Sequence, residues 1–266
     1  MVVALAGVAA ACGSDDPPSQ SIRPDRDTRA TTTTAAPTTV PPTAPPTAPP
    51  ATEPPPPPTA PPAANPLAPY GEVVRGNPDR PEMSLTFDCG SGSAPTPAIL
   101  QALRNHGIRT TFSLTGRWVE QNPGLTQEIA AEHELSNHSY SHSDFAEMGD
   151  AEILDEMHRT EAIIEQTVGR GTKPIWRAPY GSRNQHILEL VSGAGWSTHL
   201  FWTVDALDWQ QISPDEVKAR VLNAAGNGAI ALMHCASPQT AEILDSLITD
   251  IQARGLTLTS VSALLR

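Results

Sequence analysis

From residue 83 onward the chain alternates short apolar runs with longer stretches in which apolar side chains recur every three or four positions. The short runs are 84–88 (SLTFD), 110–114 (TTFSL), 134–137, 174–177 (PIWR), 198–204 (THLFWTV), 229–233 (AIALM) and 257–261. Their length and their β-branched and aromatic content are those of buried strands. The longer stretches are 97–105, 124–132, 151–168, 184–193, 214–225 and 238–253. They place Ile153, Met157, Ile163 and Ile164, or Ile243, Leu244, Leu247, Ile248 and Ile251, on one side of a helix. Several stop at Gly or Asn, which suit the turn at a helix C-terminus. Strand and helix in steady alternation predict a parallel sheet covered by helices. Seven such units in roughly 180 residues predict an α/β fold of the distorted or incomplete β/α barrel type, with an open doubly wound sheet as the alternative. In both architectures functional side chains gather where strands end.

Composition separates this folded part from what precedes it. Residues 13–69 hold most of the 28 prolines, set among Thr and Ala with almost no large apolar residue. Such a segment cannot bury apolar surface and favours extended polyproline conformations. It reads as a disordered spacer that reaches at most roughly 180 Å at about 3.1 Å per residue. Residues 70–266 then form one globular domain, large enough for a sizeable core. Residues 1–11 are apolar and small, and Cys12 follows. This resembles the end of a bacterial lipoprotein signal peptide, which implies cleavage before Cys12 and lipidation of its thiol. The expectation is an exported protein on the outer face of the cytoplasmic membrane, in the cell envelope, held there by the lipid anchor alone. Net charge of −12 and a pI near 5.0 argue against nucleic acid or an anionic surface as a partner held by charge. A neutral or mixed-charge substrate fits better, and the domain is expected to be a monomer.

The polar residues at the strand ends carry the chemistry. Asp88 ends the first strand, in Thr86-Phe87-Asp88-Cys89-Gly90. His138 and His142 follow the third, a spacing that puts two imidazoles on one side of a helical turn where they can share a metal ion. Arg177 ends the fourth strand, in Arg177-Ala178-Pro179-Tyr180-Gly181; Asp205, Asp208 and Trp209 follow the fifth; His234 closes the sixth. Singly, an Asp or Arg at a strand end is an ordinary cap or ion pair, and a Trp is ordinary core. Together, at the ends of five strands, they describe a site.

In order and spacing these segments resemble the five motifs of the NodB-like polysaccharide deacetylases, carbohydrate esterase family 4, over residues 83–265. The resemblance implies a metal-dependent hydrolase that removes N-acetyl groups from a cell-envelope glycan, peptidoglycan or chitooligosaccharide. It assigns Asp88 as general base, His138 and His142 as ligands of a divalent metal such as zinc, and the Tyr180 backbone N–H as an oxyanion contact. His234 becomes the general acid. Arg177 orients Asp88, Asp208 holds His234 protonated, Asp205 is a second partner for that charged pair, and Trp209 lines the pocket with Tyr180. Trp118 and Trp202 are candidates for stacking on sugar rings, with core packing preferred for both.

One position departs from the family pattern. The residue after the base is ordinarily a second aspartate and the third metal ligand; here it is Cys89, and the residue after His234 is Cys235. In a barrel the first and last strands approach one another, so both thiols stand at the same end of neighbouring strands. In an exported protein they are expected to form a Cys89–Cys235 disulfide, leaving the metal two histidines. The alternatives are a Cys89 thiolate as third ligand, or two inert thiols. Two other functions stay open: a degenerate domain that binds glycan without cleaving it, and an acetyl-ester hydrolase.

Overall fold

The computed structural model describes residues 71–266 apart from Gln211. The expected signal peptide with Cys12 (1–12), the spacer (13–69) and Tyr70 lie outside the described residues.

The described residues form one sheet of nine strands, every pair parallel: β1 (Glu72–Val73), β2 (Glu82–Cys89), β3 (Thr111–Leu114), β4 (Glu134–Asn137), β5 (Ile175–Trp176), β6 (Thr198–Leu200), β7 (Val204–Asp205), β8 (Ile230–His234) and β9 (Thr257–Leu258). The order is β1-β6-β5-β4-β3-β2-β8-β7, with β9 beside the start of β2. Eight helices surround it: α1 (Thr96–Asn105), α2 (Gly116–Gln121), α3 (Pro123–Glu132), α4 (Asp150–Val168), α5 (Gln185–Gly193), α6 (Pro214–Ala224), α7 (Pro238–Ala253) and α8 (Val261–Leu264). This is the distorted, incomplete β/α barrel and not an open sheet, because hydrogen bonds link its two ends. Beyond β1, the Gly76 N–H reaches the Gly228 carbonyl at 2.8 Å, just before β8. Thr203 laces the same seam, donating from its N–H to Ile230 (2.8 Å), accepting from the Ile230 N–H and donating its hydroxyl to Val74 (3.0 Å).

That role of Thr203 explains why the run 198–204 is two short strands, β6 and β7, and not one. The expected last strand, 257–261, also stops early, because Ser260 precedes helix α8. Neither two-residue β1 nor α2, opened by the Thr115 hydroxyl accepting from the Trp118 N–H, has enough length to be seen as periodicity.

Alternation along β2 builds both layers of the molecule. Met83, Leu85, Phe87 and Cys89 pack outward in the main apolar core, with Ile99 and Leu103 of α1 and Leu247 and Ile251 of α7. Ser84, Thr86 and Asp88 take the opposite face, into a buried lumen with Thr111 and Ser113 of β3 and Ser136 of β4. Through that lumen runs the fully buried side chain of Arg177. It donates to Leu200 O (3.0 Å), Asp88 Oδ1 (2.6 Å), Thr86 Oγ1 (2.9 Å) and Phe201 O (3.4 Å), so its charge is solvated by protein alone.

Candidate active site

A cavity of about 400 Å³ opens at the C-terminal ends of the strands, lined by Asp88, His138, His142, Tyr180, Asp205, Trp209 and His234 along with small residues such as Gly90 and Ser91. The sequence-expected site residues therefore share one pocket, with Arg177 beneath it and Asp208 behind it.

Asp88 and His234 are opposite one another in the β2–β8 register. Asp88 is buried; Arg177 holds Oδ1, and Oδ2 lies 3.4 Å from His138 Nε2. Burial favours its neutral form, but the charges of Arg177, His138 and His234 outweigh that, so its pKa falls below the ordinary carboxylate value. His234 is in the reverse situation. Burial works against its charged form, yet the hydrogen bond and charge of Asp208, with Asp88 and Asp205 beyond, raise its pKa above 6.5. Asp208 is itself buried and accepts three bonds: His234 Nδ1 at 2.7 Å, the His234 N–H at 2.8 Å and the Thr240 hydroxyl. The pair thus consists of an ionised carboxylate and an imidazolium whose Nδ1–H is committed to Asp208.

His138 and His142 occupy a loop, not the expected helical turn. Ser139 and His142 both have φ of 64°, a left-handed conformation incompatible with a helix, and the imidazoles converge through the loop's curl. Their ring centroids are 4.9 Å apart, edge to face, and the His142 ring lies 4.5 Å from that of Tyr180. His138 Nδ1 is 2.9 Å from the Arg177 carbonyl, which can only accept, so Nδ1 carries the proton and Nε2 the lone pair. Burial lowers the pKa of both rings, that of His142 to about 4 with the neighbouring His138 adding to the effect. At neutral pH the loop presents two uncharged imidazoles.

Tyr180 stands in a short 3-10 turn, Pro179–Gly181, with φ of 57° and its side chain 70% exposed at the rim. As the second residue of that turn, its N–H has no intrahelical acceptor. Trp209, 61% exposed, forms the other aromatic rim, its indole N–H 3.4 Å from Asp205 Oδ2. Asp205 also accepts from the Leu207 N–H at 2.8 Å, and burial raises its pKa.

For Cys89 the structure takes one of the three arrangements left open, and for Trp202 the preference for core packing needs correction. Cys89 is fully buried on the outward face of β2 and bonded to Cys235, with Cα atoms 5.0 Å apart. A disulfide sulfur carries no thiolate, so Cys89 is neither a metal ligand nor an inert thiol. Trp118 is core, but Trp202 is not: only partly buried, it stacks on Phe201 at 4.0 Å and forms a pocket wall. Residues not anticipated are Thr86 and Thr240. Thr86 was open to inference, two positions before Asp88 on the same strand face, whereas nothing local marks Thr240 on α7.

Among the described residues no cluster of three or more His, Cys, Asp or Glu side chains is placed to hold a metal. What the pocket supplies is a pair of neutral imidazoles, one with its remote nitrogen fixed by a backbone carbonyl as ligating histidines usually are. That donor set fits a divalent ion held by two protein ligands, one fewer than the three of a typical catalytic zinc site.

Comparison with known proteins agrees with this architecture. The sequence profile described as polysaccharide deacetylase matches residues 75–199. The chain is 37% identical over 195 residues to the uncharacterized protein YlxY of Bacillus subtilis (strain 168), covering 73% of this chain and 60% of that protein. It therefore spans less than two thirds of YlxY. It is 31% identical over 200 residues to the peptidoglycan-N-acetylmuramic acid deacetylase PdaA of the same strain, covering 74% and 76%. Among solved structures, wild-type BA3943 of Bacillus anthracis superposes with a TM-score of 0.70 at 30% identity, covering 74% of this chain and 69% of that one. BA3943 is described as a family 4 carbohydrate esterase pseudoenzyme, and a mutant of it as having restored enzymatic activity.

Proposed function

The chain belongs to the polysaccharide deacetylase family, carbohydrate esterase family 4, and on that premise we propose that it is a metal-dependent N-deacetylase of a cell-envelope glycan, exported and anchored by a lipid on Cys12. The observation that carries the reading is the opposed pair in one pocket: Asp88 held ionised by Arg177, and His234 held protonated by Asp208. Hydrolysis of an acetamide needs a group to take a proton from water and another to give one to the leaving amine. A base and an acid whose environments push their pKa values apart meet that need.

His138 and His142 would hold the divalent ion, zinc by its preference for imidazole, which when bound supplies Lewis acidity and makes water more acidic. Asp88 accepts the proton of the attacking water as its oxygen adds to the acetyl carbon. The Tyr180 N–H faces the oxygen on which negative charge develops. His234 then protonates the nitrogen, the C–N bond breaks, and acetate and a sugar amine leave. Trp209, Trp202 and Tyr180 offer aromatic surface to the sugar on either side.

The test is acetate release by the full chain from N-acetylated glucosamine and muramic-acid oligosaccharides as zinc is titrated, with His138→Ala beside it. Zinc-dependent release that disappears in the variant supports the reading. A second reading, glycan binding without cleavage, is favoured by the disulfide at the position of the family's third ligand. Retained glycan binding with no acetate at any zinc concentration would establish it instead.

A further inference from the structure

The loop 138–142 carries both pocket imidazoles in a conformation the chain does not adopt unaided, since Ser139 and His142 are both left-handed and neither is glycine. Such conformations persist only where the surroundings over-determine them. Every backbone N–H of the loop has an assigned acceptor. His138 donates to Leu114 O (3.1 Å), Ser139 to Asn137 Oδ1 (3.0 Å) and His142 to Ser139 Oγ (3.0 Å), all within the sheet or the loop itself. The central two, Tyr140 N–H at 2.9 Å and Ser141 N–H at 2.6 Å, converge on one oxygen, Oε2 of Glu156 in the first half of α4.

We propose that Glu156 is a positioning residue for the reaction, setting the separation and aim of the His138 and His142 imidazoles through the loop backbone. The proposal rests on the reading of those histidines as the metal-holding pair. Three observations carry it. Glu156 is buried, and among the described residues no Lys, Arg or His forms an ion pair with it, so its charge is balanced there by the loop amides. Bonds to an ionised acceptor are about twice as strong as neutral ones. The neighbouring residue completes the dock, because Met157 O accepts from the Asn137 side chain at 2.9 Å, while the start of α2 donates to Ser139 O and Tyr140 O. Finally, the position that in the family contributes a third ligand is locked in a disulfide. With only two protein ligands, the geometry has to be held from behind.

The experiment compares Glu156→Ala and Glu156→Gln with wild type in the full chain. The glutamine keeps an oxygen that can accept both amides; the alanine does not. Zinc affinity is measured by chelator competition, amide exchange at Tyr140 and Ser141 without metal, and kcat and KM on an N-acetylated chitooligosaccharide. The alanine variant is expected to lose about 10- to 100-fold in zinc affinity, the range for residues behind a ligand. Its two amides should exchange faster, and kcat should fall with KM little changed; glutamine should restore most of all three. Wild-type zinc affinity in the alanine variant, or a glutamine variant as impaired as alanine, overturns the proposal. If wild type itself takes up no zinc, the metal reading fails, and amide exchange alone decides: unchanged protection in Glu156→Ala overturns the positioning role. Should alanine not fold, Glu156→Asp keeps the charge but falls one methylene short, and wild-type zinc affinity there overturns it equally.

Discussion

Asp88 and His234 stand at the same register position on neighbouring parallel strands, and the residue after each is one half of the Cys89–Cys235 disulfide. The cross-link therefore ties the strand that ends in the proposed base to the strand that ends in the proposed acid. It also closes a chain segment with a sequence separation of 146 residues. Removing native disulfides from small secreted domains costs about 2–5 kcal/mol. The double variant Cys89→Ala/Cys235→Ala is expected to lose that much in urea unfolding, and an unchanged midpoint would show that the bond adds no stability.

The pH profile follows from the opposed shifts. The productive state needs Asp88 ionised, His142 neutral and His234 protonated. His142 becomes neutral above about 4, and Asp88 ionises below its ordinary range, so activity rises through the acid region. It declines once His234 loses its proton, at a pH above 6.5. In Asp208→Asn the charge that raises His234 is gone, so the declining limb should move to lower pH and the rate at neutral pH should drop by about 10²-fold or more, the scale of general acid catalysis. A pH–rate profile with its alkaline limb unmoved would remove His234 from the acid role.

Arg177 makes a separate prediction about stability. Asp88→Ala leaves a fully buried guanidinium without its carboxylate, which costs about 3–5 kcal/mol. Asp88→Asn keeps a hydrogen-bond acceptor and should cost less, while both variants should be inactive. Thermal unfolding of the two side by side checks the order, and equal stability would mean that the ion pair is not what balances the lumen.

At the pocket rim Gly181 has φ of 65°, and a Cβ built there would lie 2.6 Å from a ring carbon of Trp202. Gly181→Ala adds backbone strain of about 1 kcal/mol or more and pushes either the Tyr180 turn or the Trp202 wall out of place. The expected result is a fall of about tenfold or more in kcat/KM on oligosaccharides. Unchanged kinetics would mean that this wall does not touch substrate.

The barrel was legible because strand and helix alternate with clear periods, and because polar residues recur at strand ends. Asp88, Arg177, Asp208 and His234 were visible for that reason, and the role of Asp208 through the family resemblance. The split of 198–204 was not, since it depends on Thr203 bonding to segments far away in sequence. The loop form of 138–142 escaped for a related reason: four-residue spacing is common to a helical turn and to a curled loop, and the backbone that chooses between them is held by Glu156 and α2. Cys89 shows the converse. Its pairing was open to inference from two residues, while its outward side-chain direction follows from the two-residue period of β2.

The β2–β8 pairing also has a consequence for how the chain folds. β2 meets β3 within a few tens of residues, but its other neighbours, β8 and β9, follow far later in the chain. Until then one edge of β2 and the hydroxyl-lined lumen have no cover. Contacts this distant in sequence close slowly. The docking of β8 completes the barrel wall, brings His234 opposite Asp88 and juxtaposes the two sulfurs in a single event, so the oxidised bond marks molecules whose assembly has finished.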